Sequence, residues 1–520
     1  MRAALSSLSG RTFDVAVIGA GINGCSAAQQ LAARGYTVLL VDKGDFGAAS
    51  SSRSTRLVHC GLRYLAPGGT MWDLLLSPKK LSTALRMTRQ AMVARSEFAK
   101  TSASRTRQIK FGFPLYRDGA YRPWQIDLAF TVLKSLGPSE PPLDYQRLGR
   151  DEVAASPLFS RLRDQDKLLG VAMFREYQFD WAERVAVDMA LDARRIGAVV
   201  RNYTPVTGLA RATKGDGWTL TLADGRNASE PPVTLTAKVV LNTAGIWIDK
   251  VNALAGAGAK RKILGTKGVH VVIRLPPECQ DYGVITLNRA GVEPVYLVPW
   301  RQGLHYMGVT ETVYDGDIDD IQASDGDIDW LLAEANHLVP SLSLKRTDVL
   351  YSWAGVRPLQ YDPDLPKGFR SRQIHDQTRE GMPGVISMTA GPVTTHRSGG
   401  IELADAVARH VRPSGTPQPL DYAPRQFPDS GTSPALLNHY PQIKLADLRH
   451  AAMHEEPETL VDLLFRRTGL GWTETQAREG AQLAAETVAD ILGWDRGRID
   501  KEVEAYQAYL AHAHRQPSPA

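Results

Sequence analysis

The sequence predicts an α/β part joined to an α+β part: a Rossmann-like dinucleotide-binding domain, an antiparallel-sheet substrate domain and a helical C-terminal domain. Three observations predict it. Residues 13–42 read as strand, glycine turn, helix, strand, and residues 238–247 again run from an apolar strand into a glycine turn. Residues 268–356 hold short apolar runs of strand length. Residues 442–513 carry helical spacing, with Leu460, Leu463 and Leu464 on one side. At 520 residues the chain is too long for one core. The expected division gives 1–75, 176–262 and 361–411 to the dinucleotide-binding domain and 76–175 to a basic helical and substrate-domain insertion. It gives 263–360 to the antiparallel substrate domain, 412–440 to a proline-rich linker and 441–520 to the helical domain.

In the first unit, Phe13, Val15, Val17 and Ile18 make the strand, and Gly19-Ala20-Gly21-Ile22-Asn23-Gly24 follows at once. Gly19 turns the chain sharply, Gly21 lets a pyrophosphate approach the backbone, and Gly24 lets the helix lie close to the sheet. The amides of Ile22 and Asn23 open the helix, whose positive end holds phosphates. Asp42 ends the second strand where an acid binds ribose hydroxyls, and Lys43 beside it joins the cofactor set. Strand, helix and acid in register supply the context this motif demands.

Composition narrows the function. Hydrophobic residues at 43% and charged residues at 22% are ordinary for a globular protein, and a net charge of +5 gives no case for nucleic acid. The three cysteines, Cys25, Cys60 and Cys279, lie far apart, which excludes a disulfide framework or a metal cluster and points to a reducing compartment. No apolar run is long enough to span a bilayer.

After Asp42, residues 47–56 are dense in hydroxyls. Ser51, Ser52 and Ser54 suit a segment that runs along a flat cofactor and donates hydrogen bonds to it. Residues 79–110 are basic, with Leu81, Leu85, Thr88 and Met92 at helical spacing; this fits either a face for anionic lipids or a solvated face packed on a core. Residues 178–197 read as a helix capped by Asp180, and 199–211 as a strand carrying Val206, where such folds contact adenine. A meander follows, with Asp224-Gly225 as a hairpin turn. Then come the strand 238–242 and Thr243-Ala244-Gly245-Ile246-Trp247, which is similar to the second dinucleotide signature of flavoprotein oxidoreductases. Two glycine signatures separated by a meander argue for FAD over NAD.

Residues 57–65, Leu-Val-His-Cys-Gly-Leu-Arg-Tyr-Leu, carry a further likeness. With the start of the chain they resemble the FAD-dependent glycerol-3-phosphate dehydrogenases, which have a Ser-rich run, His-Gly-Gly and Leu-Arg-Tyr-Leu there. Cys60 replaces the first of those glycines. The resemblance implies that His59, Gly61 and Leu62 lie near the flavin and that Arg63 and Tyr64 bind substrate. Lys267-Gly268-Val269-His270, Gly308-Val309-Thr310-Glu311 and Gly355-Val356-Arg357-Pro358-Leu359 also match family segments, which implies that His270 and Thr310 lie near the reacting end and that Arg357 points at the substrate. In 390–397 the family's paired threonines stand as Thr394 and Thr395 after Gly391, but Pro392 replaces a phosphate-binding lysine and His396 a tyrosine. Arg63, Arg357 and one of Arg370 or Arg372 then remain for an anion clamp. Phe465-Arg466-Arg467-Thr468 resembles the Trp-Arg-Arg-Thr of the family's helical domain.

The implied chemistry is hydride transfer from the carbinol carbon of a small anionic polyol to flavin, with His270 as base, Arg357 as cation and electrons passed to a quinone. The resemblance further implies a cytoplasmic enzyme, peripheral on the inner membrane face, with a homodimer as one form. Two other readings stand beside it: an amino-acid or amine oxidase of the same fold, and a weakened flavoprotein with a non-phosphorylated substrate.

Overall fold

The computed structural model describes residues 2–65, 77–213, 215–256, 258–366, 368–429 and 431–517. A mostly parallel sheet has Thr12–Ile18 at its centre, with Val38–Val41 and then Val199–Arg201 on one side and Val233–Asn242 and Val385–Thr389 on the other, where Gln373–Asp376 adds an antiparallel edge. Thr12–Ile18 is almost wholly apolar because both its faces are covered. Val15 and Val17 meet the helices Ile22–Ala33, Ala182–Arg195 and His396–Ala408, whereas Ala16 and Ile18 meet the meander residues Leu209, Trp218 and Leu220.

Among the described residues the second sheet has ten strands. Ile263–Arg274 pairs antiparallel with Leu304–Gly308 on one side and Tyr351–Gln360 on the other, and Thr106–Tyr116 pairs antiparallel with Leu168–Phe179. The expected antiparallel order breaks at one junction, where Tyr282–Leu287 runs parallel to Thr106–Tyr116. Those two strands are joined by a crossover through the first sheet, so no hairpin sets their direction.

Other expectations shift with the packing. Residues 199–211 form two strands rather than one, because Pro205 lacks a donor and Tyr203 sits at φ +45°. The helix expected from 178 begins at Ala182; Gln178 still belongs to a strand, and Asp180 pairs with Arg301 instead of capping. The helix expected from 402 begins at His396, and residues 440–444 form a hairpin strand before the C-terminal helices Leu445–His454, Ala481–Leu492 and Arg496–Ala513. Helix Pro78–Thr101 exposes Lys79, Lys80, Arg86 and Arg89 and packs Thr88 and Met92 inward. The continuous basic face expected from 79 to 110 is interrupted. Arg95 is buried against the carbonyls of Pro141, Pro142 and Arg175, and Arg105 against Asp188. Among the described residues no helix is long and apolar enough to cross a membrane.

Candidate active site

A cavity of about 780 Å³ opens where the glycine turns, the Ser-rich segment and the second sheet meet. The first turn needs its glycines. Gly19 stands at φ +103°, and a Cβ there would lie 2.7 Å from the Ala244 Cα, so the two glycine signatures touch backbone to backbone. A Cβ at Gly24 would meet the Gly19 carbonyl at 1.9 Å. Gly21 faces the open side, with only the Ser51 hydroxyl, 3.3 Å away, near its missing Cβ. Ile22 N donates to that hydroxyl at 3.0 Å. Asp42 accepts from Ala20 N (2.6 Å) and Gly44 N (2.8 Å), and its burial pushes its carboxyl up. Replacing Gly21 with Ala is expected to leave the fold intact and to weaken FAD binding about tenfold, because the new methyl occupies the surface a diphosphate must graze. Fluorescence titration of the stripped protein with FAD checks this.

Of the proposed cofactor residues, the cavity is lined by Gly19, Gly21, Ile22, Asn23, Asp42 and Lys43, by Ser51, Ser54, His59 and Val206, and by Thr243, Ala244, Gly245, Trp247, Gly391 and Thr394. The other five serve the walls. Gly24 permits the helix to sit on the turn, and the Ser52 hydroxyl caps the carbonyls of Ala48 and Ala49. Gly61, at φ +94°, lets helix Pro78–Thr101 approach, Leu62 packs in the core, and the Thr395 hydroxyl accepts from Arg372.

Arg63, Tyr64, His270 and Arg357 also line the cavity. Thr310 does not: its hydroxyl accepts from Val269 N at 3.0 Å and ties the connection after Leu304–Gly308 to the middle of Ile263–Arg274. Arg357 is a half-buried cation that lines the cavity. Burial, with Arg63 beside it, lowers it to about 10, so it stays charged at neutral pH, and its Nη1 meets no partner among the described residues. Gly268 makes room for it, since a Cβ there would lie 2.4 Å from Nη2. His270 stacks on Trp353 with centroids 4.6 Å apart, its Nε2 lies 3.1 Å from the Thr55 hydroxyl, and its Nδ1 meets no partner among the described residues. Burial, then Arg357 and Arg56, hold it well below the usual imidazole range, so it is neutral. His59 is lowered to about 3 by burial and by Arg63.

Of the two arginines offered for the clamp, Arg370 reaches the cavity, paired with Glu311. Arg372 is turned away onto Glu402, Thr395 and Ser398. Thr55, Glu293 and Tyr296 line the same cavity and lay outside the sequence expectations, as did Trp353 behind His270. Thr55 had a signal, since it stands inside the hydroxyl-rich run; Glu293 and Tyr296 belong to no local motif.

Residues 14–412 match the family described as FAD dependent oxidoreductase. The chain belongs to that family. It is 28% identical over 551 residues to a glycerol-3-phosphate dehydrogenase of Synechocystis, covering 96% of each chain. Its fold is similar to the glycerol-3-phosphate dehydrogenase of Bacillus halodurans complexed with FAD, with a TM-score of 0.73 and 21% identity over 98% of this chain and 96% of that one. It is also similar to the L-alpha-glycerophosphate oxidase of Mycoplasma pneumoniae with FAD bound, with a TM-score of 0.61 and 17% identity over 80% of this chain and 99% of that one. The residues of this FAD-dependent oxidoreductase fit the cofactor. No atom lies within 4 Å of a Cβ built at Gly245, so that turn leaves room for a ligand. The buried Asn23 Oδ1 and His59 Nδ1 beside the cavity have no partner among the described residues. Gly19, Gly21 and the helix start at Ile22 would hold the diphosphate, Asp42 and Val206 the adenosine, and His59 and Thr394 the side near the flavin ring.

Proposed function

We propose that the enzyme oxidises sn-glycerol 3-phosphate, or a related polyol phosphate, to the ketone and delivers the electrons to a quinone. The observation that carries this is the solvent-shielded Nη1 of half-buried Arg357, which has no hydrogen-bond partner among the described residues, beside neutral His270 in one cavity. A solvent-shielded cationic group without a partner is costly unless its anion is a ligand. Bound FAD would supply the hydride acceptor for the carbinol carbon. Arg357 and Arg63 hold the anionic end, and Arg370 supplies a third guanidinium where Pro392 has removed the family's lysine. His270, kept neutral, takes the hydroxyl proton, and the Thr55 hydroxyl fixes its ring. Relatives named glycerol-3-phosphate dehydrogenase support the substrate. The exposed cations of helix Pro78–Thr101 suit an anionic membrane surface, where a quinone dissolves.

The test is anaerobic mixing of the FAD-loaded enzyme with sn-glycerol 3-phosphate, free glycerol and amino acids. Flavin bleaching by the phosphate alone is expected, and His270→Asn is expected to slow it at least a hundredfold. Bleaching by amino acids but not by the phosphate would sink the proposal.

A further inference from the structure

The Phe465-Arg466-Arg467-Thr468 segment lies outside the family match and is not among the residues that line the cofactor cavity, yet it bonds to one that is. Its target is Asp45, three residues beyond Asp42, which lines that cavity and is only 1% exposed. Asp45 accepts from Arg466 Nε (2.6 Å), Arg467 Nη1 (2.7 Å), Arg467 Nη2 (2.8 Å) and Asn202 Nδ2 (2.8 Å). The arginines are themselves anchored. Arg467 Nε donates to the Glu455 carbonyl at 2.9 Å, and Arg466 pairs with Asp462, which also accepts from the Tyr203 hydroxyl at 2.8 Å.

We infer that the helical C-terminal region is a cofactor-retaining element: Arg466 and Arg467 grip Asp45, so that docking of this region and binding of FAD strengthen each other. The first reason is electrostatic. Asp42 and Asp45 both face a cavity that must accept a doubly negative diphosphate, and an unpaired carboxylate at Asp45 would repel it. The two guanidiniums cancel that repulsion only while the C-terminal region is docked. The second reason is mechanical. Beyond Asp45 the chain is pinned at short intervals: Gly47 N to the Ala20 carbonyl (2.9 Å), the Ser50 hydroxyl to the Val356 carbonyl (2.7 Å), and Ser51 to Ile22 N (3.0 Å). A shift of Asp45 therefore moves the diphosphate turn. A second tether acts at the cavity mouth. His512 reaches Asp320 at 2.5 Å and Arg515 pairs with Asp325, while neighbouring Asp319 accepts from Trp247 Nε1 (2.7 Å) and Lys250 Nζ (2.9 Å) and pairs with Lys43. Coupling between two binding events is reciprocal, which makes it readable from either side.

Hydrogen exchange on the full-length protein, FAD-loaded and FAD-stripped, reads the first side. Residues 462–472 are expected to exchange on the order of tenfold more slowly when FAD is bound. The FAD dissociation constant of Arg467→Lys reads the second. A rise of about tenfold is expected, because lysine keeps the charge but loses the fork on Asp45. Arg449→Ala, which removes a surface pair with Asp490 in the same region, is expected to bind FAD as the wild type does. Equal exchange of 462–472 in the two forms overturns the inference, as does wild-type FAD affinity in an Arg467→Lys protein with native near-UV circular dichroism. If that variant does not fold, the wild-type exchange comparison decides alone. Loss of the proposed phosphate-dependent bleaching would leave this inference standing, since neither readout involves substrate.

Discussion

Arg357→Met is expected to keep FAD bound and to lower kcat/KM for the anionic polyol about a thousandfold, or about 4 kcal/mol of transition-state stabilisation. Arg357 is half-buried and shares its cavity with Arg63, and its solvent-shielded Nη1 has no hydrogen-bond partner among the described residues. In the free enzyme Tyr296 and Glu293 oppose the repulsion between the two guanidiniums, and the substrate's anion adds a direct partner on binding. A charge-assisted hydrogen bond in such surroundings is about twice as strong as a neutral one. Methionine has similar length and no charge, so the protein should fold at least as well without a cation held beside Arg63. Arg357→Lys should fall between the two, because it restores charge without the planar fork. Steady-state kinetics and the flavin spectrum of each variant measure this. A methionine variant with wild-type kcat/KM would remove Arg357 from the substrate site. A loss confined to KM would make it a binding group only.

The first glycine signature was legible because its physics is local. Gly19, Gly21, Gly24 and Asp42 lie within one strand–turn–helix–strand unit, and their spacing alone dictates which atoms face a ligand. The substrate end was legible mainly through resemblance, because its geometry is made by register across a sheet. His270 faces Trp353 on one neighbouring strand and Gly308 on the other, and a Cβ at Gly308 would lie 2.2 Å from the His270 ring. No short-range pattern announces partners so far apart. The same limit explains Thr310, which lies close to the reacting segment in sequence but spends its hydroxyl on Val269 N. It explains the basic stretch as well: the sequence records the charge of Arg95 and Arg105, while burial and pairing belong to the fold. Asp180 had an equally good local reason to cap a helix, and a long-range ion pair with Arg301 outcompeted it.

Acidification from pH 6.5 towards 4 is expected to unfold the protein cooperatively, with the midpoint near pH 5. Five histidines drive this, four of them buried and His59 half-buried at the cavity. Burial is the first cause in each: His59 and His396 are lowered to about 3, His305 to about 4, and His270 and His514 well below their ordinary value. Each is neutral when folded, while its unfolded counterpart binds a proton near pH 6.5. Below 6.5 the unfolded state therefore holds more protons. The stability is fully present above that pH and falls as pH drops, by up to about 1.4 kcal/mol per unit for each ring. At pH 5 His59, His396 and His305 together lose about 6 kcal/mol, within the range of the whole net stability of a typical domain, and His270 and His514 add to the loss in the same direction. Glu176 opposes them. Burial raises it to about 7, so between about pH 7 and 4.5 the folded state takes up the extra proton, which offsets about 3 kcal/mol. Asp14 and Asp319, held at about 2 by their lysine partners and hydrogen bonds against the effect of burial, lose their contribution only below the unfolded carboxylate range, outside this window. Near-UV circular dichroism from pH 8 to 4 follows the transition. His396→Asn should move the midpoint to lower pH by a few tenths of a unit, and Glu176→Gln should move it to higher pH. A signal that stays native down to pH 4, in wild type and both variants alike, would mean that the imidazoles are solvated or charged in the folded protein. Neutral His270 would then lose its standing as the base.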